Sequence, residues 1–209
     1  VDVVYNGCTA DFKPVTAVER QVVRDEYTGG SPFFIFIGLL HPRKNVVNLF
    51  KAFEQFKAAT GSDVKLMIVG KQWMAGDIRE TYERMKYRDD VVMTGRMSDE
   101  ELPRVLASAL ALTYVPVFEG FGIPILEAFN AGVPVITSAV SSMPEVAGKA
   151  ALFTDPFDPG TVSAAMEKIY REPELAQQLV TLGHERSRDF SWERSAELLW
   201  NCIDKALKA

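Results

Sequence analysis

Phe33-Phe-Ile-Phe-Ile-Gly-Leu39 is the stretch that decides the fold of this chain. An unbroken apolar run of this length predicts a β-strand covered on both faces, as in a parallel sheet. From Val46 to Phe56 the apolar residues recur at helical spacing, and Asn45 is a suitable cap for the helix that they predict, over 45–59. A strand followed directly by a helix is the repeating unit of α/β proteins.

Strand-like and helix-like segments alternate along the rest of the chain. Further strands are predicted over 64–70, 91–94, 110–115, 133–137 and 150–154, and residues 1–5 also have the pattern of a strand. Further helices are predicted over 77–86, 98–108, 124–131, 159–171, 173–188 and 192–207. This alternation predicts a single domain over 1–209, a Rossmann-like α/β fold with a parallel sheet and helices on both faces.

The composition excludes several classes of protein. A net charge of −5 argues against a nucleic-acid-binding protein, and no apolar run approaches the roughly 18 residues of a membrane-spanning helix. Two cysteines, Cys8 and Cys202, lie near opposite ends without metal-ligand spacing, which favours a reducing, cytoplasmic setting. Because the sequence starts without Met inside a strand-like segment, we expect it to be part of a longer protein.

Polar and glycine-rich segments follow the predicted strands. They are Leu39–Lys44, Gly70-Lys71, Gly95–Met97 and Pro116–Gly122. In parallel sheets, ligands bind outside the carboxyl ends of the strands, where the strand order reverses. Two cations, Arg43 and Lys44, are expected beside a helix start, where they oppose the helix dipole unless an anion is bound. The sequence therefore predicts that they hold a diphosphate.

The segment Glu119-Gly-Phe-Gly-Ile-Pro-Ile-Leu-Glu127 places two carboxylates eight positions apart. Gly120 and Gly122 allow a sharp turn and a close approach to a ligand, and Pro124 can open a helix. The first N–H groups of that helix would bind phosphate. Glu127 is expected in the first helical turn, leaning back over the same spot. A carboxylate there suits sugar hydroxyls, so the segment predicts a ligand with both phosphate and sugar.

Other kinds of site have little support in the sequence. Of the two histidines, His41 follows the first strand and His184 lies in a predicted surface helix, so a metal site is not expected. There is no Asp-x-Asp after an apolar strand and no Ser/His/Asp or Cys/His constellation. The third glycine of the dinucleotide-binding fingerprint is missing after Gly122, which disfavours an NAD enzyme.

These features together resemble the C-terminal, nucleotide-sugar-binding half of retaining glycosyltransferases of the GT-B type, family 4, also called group 1. Glu119–Glu127 resembles the family's Glu-x7-Glu element, and the segment from Gly38 to Asn45 resembles its diphosphate loop. Nearly the whole chain takes part in the resemblance. The remaining matches are Tyr5-Asn-Gly7, Phe12-Lys-Pro14, Gly95-Arg-Met-Ser-Asp-Glu-Glu-Leu102, Ala131-Gly-Val-Pro-Val-Ile136 and Ser141-Ser-Met-Pro-Glu-Val-Ala-Gly148.

The resemblance implies a role for each matching residue. Lys44 and Arg43 would bind the donor diphosphate and assist catalysis, and Glu119 would contact the transferred sugar and belong to the catalytic group. Glu127 would accept hydrogen bonds from the ribose. Backbone N–H groups of Phe121, Gly122 and Ile123 would meet the phosphates, Arg96 and Met97 would flank the base, and Gly38, Gly70 and Gly120 would line the donor site. Two positions depart from the family: Leu39 stands where many members have Arg, and Val117 where many have Ser.

The implied reaction transfers a hexose from a nucleoside-diphosphate sugar to an acceptor hydroxyl with retention of the anomeric configuration, without a metal or other cofactor. The acceptor site would belong to a missing N-terminal domain of the same polypeptide, against which the final helix, about 190–209, would pack. We expect the isolated chain to be inactive. We expect the protein to be cytoplasmic, or peripheral at the inner face of the membrane through the missing half.

Two alternatives remain open at this point. One is a non-catalytic module that binds a nucleotide-sugar, and the other is a related GT-B enzyme such as a sugar-nucleotide epimerase or a phosphorylase. The sequence does not reveal the base or the sugar of the donor. GDP-mannose and UDP-hexoses are the donors that we favour.

Overall fold

The computed structural model describes residues 2–71 and 76–208, and its centre is a parallel sheet of six strands. The strands are β1 (Phe33–Ile37), β2 (Lys65–Val69), β3 (Val91–Gly95), β4 (Ala111–Tyr114), β5 (Val135–Ser138) and β6 (Ala151–Thr154). Each coincides with a predicted strand. The strand predicted over 1–5 is wrong for its described residues: the backbone of Tyr5 accepts a hydrogen bond from Ser195 Oγ, so a helix side chain serves it in place of a neighbouring strand.

Helices cover both faces of the sheet. They are α1 (Ala17–Thr28), α2 (Val46–Thr60), α3 (Asp77–Arg84), α4 (Glu101–Leu106), α5 (Ile123–Asn130), α6 (Met143–Ala147), α7 (Pro159–Arg171), α8 (Pro173–Ser187) and α9 (Trp192–Leu207). Two helices, α1 and α6, were not predicted from the sequence. The first has almost no apolar periodicity, since Val23 is its one buried aliphatic residue, and a capping box between Thr16 and Glu19 starts it instead.

The core lies on both sides of β1, whose residues Phe33–Phe36 are fully buried. The ring of Phe34 packs edge-on against Phe56 of α2, with ring centroids 5.3 Å apart. In the order β3-β2-β1-β4-β5-β6, the chain moves outward from β1 to β3 and then returns to the other side of β1. The strand order therefore reverses between β1 and β4, and the loops after these two strands border the crevice in which such sheets bind ligands.

A glycine stands at or directly after the last residue of β1, β2 and β3. The N–H of Gly38 donates to the carbonyl oxygen of Val69, and that of Gly70 to the carbonyl oxygen of Gly95. The hydrogen-bond pattern of the sheet therefore continues one residue beyond β1 and β2. Gly70 has a φ of +145°, and a Cβ there would lie 2.0 Å from the carbonyl oxygen of Gly38. Only glycine fits at this position, which leaves that part of the carboxyl edge free of side chains.

Asn45 does not cap α2, contrary to prediction. It adopts a left-handed conformation with a φ of +63°, and its side chain makes no cap hydrogen bond. Instead its Nδ2 donates to the carbonyl oxygens of Val115, at 3.0 Å, and Pro156, at 2.7 Å. These bonds satisfy carbonyls in a buried region, where an unpaired one would be costly. Asn45 therefore ties the loop after β1 to the loop after β4.

The C-terminal helix α9 exposes an apolar stripe, which consists of Trp192, Leu199, Trp200, Ile203 and Leu207. The N-terminal segment holds it: Gly7 packs so closely against its first turn that a Cβ there would lie 2.4 Å from the nitrogen of Trp192, and Asp2 pairs with Lys205 near its end. In the described parts of the chain, none of the helices combines the length and the apolar character needed to cross a bilayer.

Candidate functional site

Three charged side chains meet at the point where the strand order reverses. Lys44, in the turn after β1, places its Nζ 2.6 Å from Oε1 of Glu119, in the loop after β4. Arg43 Nη1 donates to the same carboxylate oxygen. The Lys44 and Glu119 side chains are only 11% and 10% exposed, whereas that of Arg43 is 46% exposed. Lys44 and Glu119 therefore form a buried pair, and Arg43 reaches it from the solvent side.

Tyr114, the last residue of β4, supports this pair. Its hydroxyl accepts a hydrogen bond from Lys44 Nζ at 2.6 Å, and the ammonium also lies 4.9 Å from the ring centroid. Burial, followed by the negative charge of Glu119, raises the pKa of Tyr114 far above its ordinary value. Tyr114 therefore stays protonated at any physiological pH and holds Lys44 in place by a hydrogen bond.

The loop that carries Glu119 is fixed by hydrogen bonds to two neighbouring loops. Ser141, after β5, accepts from the backbone N–H of Glu119 and donates to its carbonyl, at 3.1 and 2.7 Å. Ser142 donates to the carbonyls of Glu119 and Phe121, both at 3.0 Å. The N–H of Val117 donates to the backbone carbonyl oxygen of Arg43, in the loop after β1, at 3.0 Å. Glu119 is therefore positioned by backbone contacts that do not depend on its charge.

The turn before α5 leaves several N–H groups open. Within the described chain, the N–H groups of Phe121, Gly122 and Ile123 donate to no acceptor. Gly122 has a φ of +107°, and a Cβ there would lie 2.7 Å from the Met143 side chain, so the turn requires glycine. Gly120, by contrast, borders open space. The helix start thus has the unpaired donors that anions bind.

Glu127 lies in a different environment from Glu119. Because α5 begins at Ile123, Glu127 belongs to the second helical turn, and its predicted place in the first turn is wrong. Burial raises the pKa of its carboxyl from 4.5 to about 7. Its charge contributes to raising the pKa of both Cys8 and Tyr114, so it lies near both. Glu127 is therefore a half-buried acid within reach of the Lys44 cluster, without a cation beside it among the described residues.

The other predicted positions border the same edge of the sheet. Gly38, Gly70 and Gly95 end β1, β2 and β3, and Arg96 and Met97 follow β3 directly. Arg96 is exposed and Met97 is buried. The carboxyl ends of neighbouring parallel strands lie together, so these residues line one side of the crevice. The structure thus brings together Arg43, Lys44 and Glu119 by direct contact, and the remaining predicted residues by their position at this edge.

Several residues shape this edge in ways that the sequence did not predict. Tyr114 holds Lys44, and Asn45 joins the loop after β1 to the loop after β4. Ser141 and Ser142 fix the loop that carries Glu119. A buried tyrosine at a strand end was a signal for Tyr114, because a hydroxyl there needs a partner. The bonds of the two serines join residues that are more than 20 positions apart, and no local pattern predicts them.

Metal-binding geometry is not found at this edge. Among the residues that the structure describes, no group of three or more His, Cys, Asp or Glu side chains could hold an ion. His41 accepts a hydrogen bond from the N–H of Arg43 and thereby caps the short 3-10 turn Pro42–Lys44. Charged residues at this edge include Arg43, Lys44, Arg96 and Glu119.

Comparisons with known proteins place this geometry in a family. Residues 19–186 match the family described as "Glycosyl transferases group 1". The chain is 31% identical over 205 residues to O-antigen chain mannosyltransferase B of Escherichia coli, a match that covers 97% of the chain and 52% of that relative. It is 29% identical over 170 residues to the MMP alpha-(1->4)-mannosyltransferase of Mycolicibacterium hassiacum, covering 79% of the chain and 41% of that relative. The chain thus spans about half or less of the length of these relatives.

Solved structures share the fold. Sucrose-phosphate synthase from Thermosynechococcus elongatus superposes with a TM-score of 0.82 at 23% identity, covering 97% of this chain and 52% of that one. Anabaena HepE in complex with UDP-glucose gives 0.84 at 16% identity, covering 97% and 57%. These likenesses confirm the predicted fold class, the Rossmann-like C-terminal half of a GT-B fold. Together with the family match over most of its length, they show that this chain belongs to the group 1 glycosyl transferases.

Proposed function

We propose that this chain is the donor-binding domain of a retaining glycosyltransferase that transfers a hexose, mannose in our reading, from a nucleoside-diphosphate sugar. One observation carries the proposal: Lys44 and Arg43, from the loop after β1, converge on Glu119, from the loop after β4. This crevice is where a Rossmann-like sheet binds its ligand. Cations for a diphosphate and a carboxylate for sugar hydroxyls stand side by side there.

The two cations differ in their freedom to change partners. Lys44 is buried and held by both Glu119 and Tyr114, whereas the exposed side chain of Arg43 contacts Glu119 from the solvent side. In the proposal, Arg43 leaves Glu119 and pairs with the diphosphate, where its planar guanidinium can bind two oxygens at once. Lys44 stays in place and presents a fixed positive charge.

The reaction itself depends on charge that develops as the sugar leaves. The bond between the sugar and the diphosphate breaks through an oxocarbenium-like transition state, and negative charge grows on the diphosphate. Lys44, Arg43 and the open N–H groups of Phe121, Gly122 and Ile123 would stabilise that charge without reorganising. Glu119 would accept hydrogen bonds from the hydroxyls of the transferred sugar.

Glu127 would bind the ribose of the donor. Its pKa is about 7, because it is buried without a cation beside it in the described chain. Ribose hydroxyls would donate hydrogen bonds to the carboxylate and favour its ionised form. A half-buried acceptor that receives no hydrogen bond from the described residues is thus suited to a ligand with two adjacent hydroxyls.

The sugar is proposed from the relatives. Several curated relatives are named mannosyltransferases, including the Escherichia coli and Mycolicibacterium hassiacum proteins, whereas the structural neighbour HepE was solved with UDP-glucose. We therefore propose mannose as the sugar and GDP as its carrier, with a glycan or a lipid-linked glycan as acceptor. The base would contact the strand ends near Arg96 and Met97.

The acceptor site is proposed to belong to a second domain of the same polypeptide. The relatives are about twice as long as this chain or longer, and α9 exposes an apolar stripe from Trp192 to Leu207. We propose that this stripe packs against that domain, and that contact with the inner face of the membrane, where it occurs, involves that domain. The isolated chain would then bind donor weakly and transfer little or no sugar.

Product analysis of the full-length protein tests the proposal. GDP-mannose, UDP-glucose and ADP-glucose are supplied separately with a candidate glycan acceptor, with and without EDTA, and the anomeric configuration of the product is read by NMR. We expect transfer from GDP-mannose with retention and without loss in EDTA. Epimerised nucleotide-sugar as the product, or binding without any transfer, would instead support the alternative functions.

A binding experiment tests the donor site separately. Nucleoside diphosphates are compared by calorimetry and by thermal shift, since a ligand selective for the native state raises its stability. Glu127→Ala removes a charged hydrogen-bond acceptor and is expected to weaken nucleotide binding roughly ten- to a hundred-fold. Unchanged affinity in this variant would contradict the assignment of Glu127 to the ribose.

A further inference from the structure

We propose that a cavity at the opposite, amino-terminal edge of the sheet binds a phosphate group, carried by inorganic phosphate or by a small phosphate monoester. The cavity lies between α1 and α8, and two arginines of α1, Arg20 and Arg24, form its basic wall. This site is separate from the proposed donor site and does not depend on the proposed transfer reaction.

The Nε donors of the two arginines are unpaired within the part of the chain that the structure describes. They are spaced i, i+4 on α1, so their side chains share one face of the helix, where like charges repel. The Nε atoms of both are fully buried, and neither has a hydrogen-bond partner in the described chain. Burial and the positive charge of Arg20 lower the pKa of Arg24. Buried donors are normally paired, so this arrangement indicates an anion that completes the site.

The cavity has the shape and lining for such an anion. It consists of two adjoining pockets, both open to solvent, that share Arg20 and Gln177. The pocket of about 250 Å³, which also contacts Arg24, is called the inner part, and the pocket of about 460 Å³ is called the outer part. Tyr170 adds a further polar group to the inner wall, while Pro134 and Ile169 supply apolar surface. A phosphate can thus contact the arginines while a small organic group contacts the apolar wall.

The charges that face the cavity are mostly positive. Among the described residues, Arg188 borders the outer part, and the one acid in the lining is Glu185, which is exposed and lies in the outer part only. Within the described residues, neither Arg20 nor Arg24 forms an ion pair with Glu185 or with another acid. The inner part therefore offers two guanidinium groups, a match for the two charges of a phosphate dianion.

The position of the cavity separates it from the donor edge. Leu110 and Pro134, which line it, immediately precede β4 and β5, whereas Tyr114 and Glu119 follow β4. The four residues of β4 alone span ~13 Å. A phosphate bound here would not compete with a nucleotide-sugar, and it would bridge α1 and α8 beside the start of β4.

The experiment is a titration of the full-length protein with inorganic phosphate in one arm and with phenyl phosphate in the other, at constant ionic strength set with chloride. Thermal shift and calorimetry are measured for the parent, Arg20→Gln, Arg24→Gln and the control Arg84→Gln. Arg84 is an exposed arginine on α3, remote from the cavity. We expect saturable binding that is roughly ten-fold weaker or worse in both cavity variants and unchanged in the control.

The apo proteins supply a second readout. If the two unpaired guanidiniums repel each other, each cavity variant is at least as stable as the parent without phosphate and is stabilised less when phosphate is added. Tighter binding of phenyl phosphate identifies a monoester as the ligand, whereas equal affinity in the two arms identifies the free anion. The proposal is overturned if neither compound binds saturably, if all variants respond alike, or if a cavity variant is destabilised without phosphate, since the arginines would then already have a partner.

Discussion

The two carboxylates of the Glu119–Glu127 segment are eight residues apart and stand in opposite surroundings. Glu119 lies in a loop and contacts two cations, Lys44 and Arg43, whereas Glu127 lies on α5 in a half-buried position. Burial raises the pKa of Glu127 to about 7. The same residue type therefore forms an ion pair at one end of the segment and a buried group with a raised pKa at the other. The contrast shows that environment, not sequence spacing, assigns their tasks.

The largest effect is expected when the ion pair between Lys44 and Glu119 is broken. Lys44→Met removes the fixed cation and leaves the buried Glu119 with only the exposed Arg43 as a cationic partner. We expect kcat/KM for sugar transfer by the full-length protein to fall by about 10²- to 10³-fold, because a preorganised charge is lost. Lys51→Met, an exposed lysine on α2, is the matched control. Wild-type kcat/KM in the Lys44 variant would contradict a role of this cation in the reaction.

The next largest effect is expected on the pH dependence of stability, through the carboxyl group of Glu127. The folded protein keeps the Glu127 proton up to a pH of about 7, whereas the unfolded chain releases it near 4.5. Stability is therefore lost as pH rises through this window, and the loss is complete above it. Glu127→Gln removes this loss. Relative to the parent, we expect the variant to gain up to ~3 kcal/mol in free energy of unfolding between pH 4.5 and 8.

Denaturant unfolding at several pH values measures this gain. Glu174→Gln, at an exposed position on α8, controls for the loss of one carboxylate. A stability difference between Glu127→Gln and the parent that stays constant from pH 4.5 to 8 would show that the carboxyl titrates like an exposed group.

A smaller effect is expected because binding of the nucleotide-sugar is coupled to the ionisation of Glu127. If ribose hydroxyls bind ionised Glu127, nucleotide-sugar binding lowers its pKa and releases a proton. Affinity for the nucleotide-sugar should then rise roughly ten-fold from pH 5.5 to 8. Calorimetry in buffers of different ionisation enthalpy measures the released proton, and Glu127→Gln should abolish it. A proton release that persists in the variant would assign the linkage to another group.

The smallest expected effect is on the support of Lys44. Tyr114→Phe removes the hydroxyl that accepts from Lys44 at 2.6 Å and leaves the Glu119 contact in place. The loss of one hydrogen bond, about 1 kcal/mol, corresponds to an approximately five-fold weaker donor affinity. Tyr82→Phe on α3 is the control. An effect as large as that of Lys44→Met would mean that Tyr114 has a further role in the site.

Sequence patterns predicted most of the fold because the strands are buried on both faces. Phe33–Ile37 could form little else than a central strand, and the turn glycines marked the strand ends. The helix α1 escaped prediction because one buried aliphatic residue, Val23, gives no periodicity. Asn45 was expected to cap α2, but two carbonyls from distant loops, those of Val115 and Pro156, receive its donors. A distant acceptor in a buried place outweighed the local preference.

The sequence by itself determined which residues could take part in binding, because glycines, cations and carboxylates follow strands whose order of appearance is fixed by the chain. Only the tertiary structure decided their relations. It brought Lys44 to within 2.6 Å of Glu119 across 75 positions of sequence, and it buried Glu127 enough to shift its pKa. At the other edge it left the Nε atoms of Arg20 and Arg24 without hydrogen-bond partners among the residues that the structure describes. Charge pairing and desolvation act through space, so residues far apart in the chain set them.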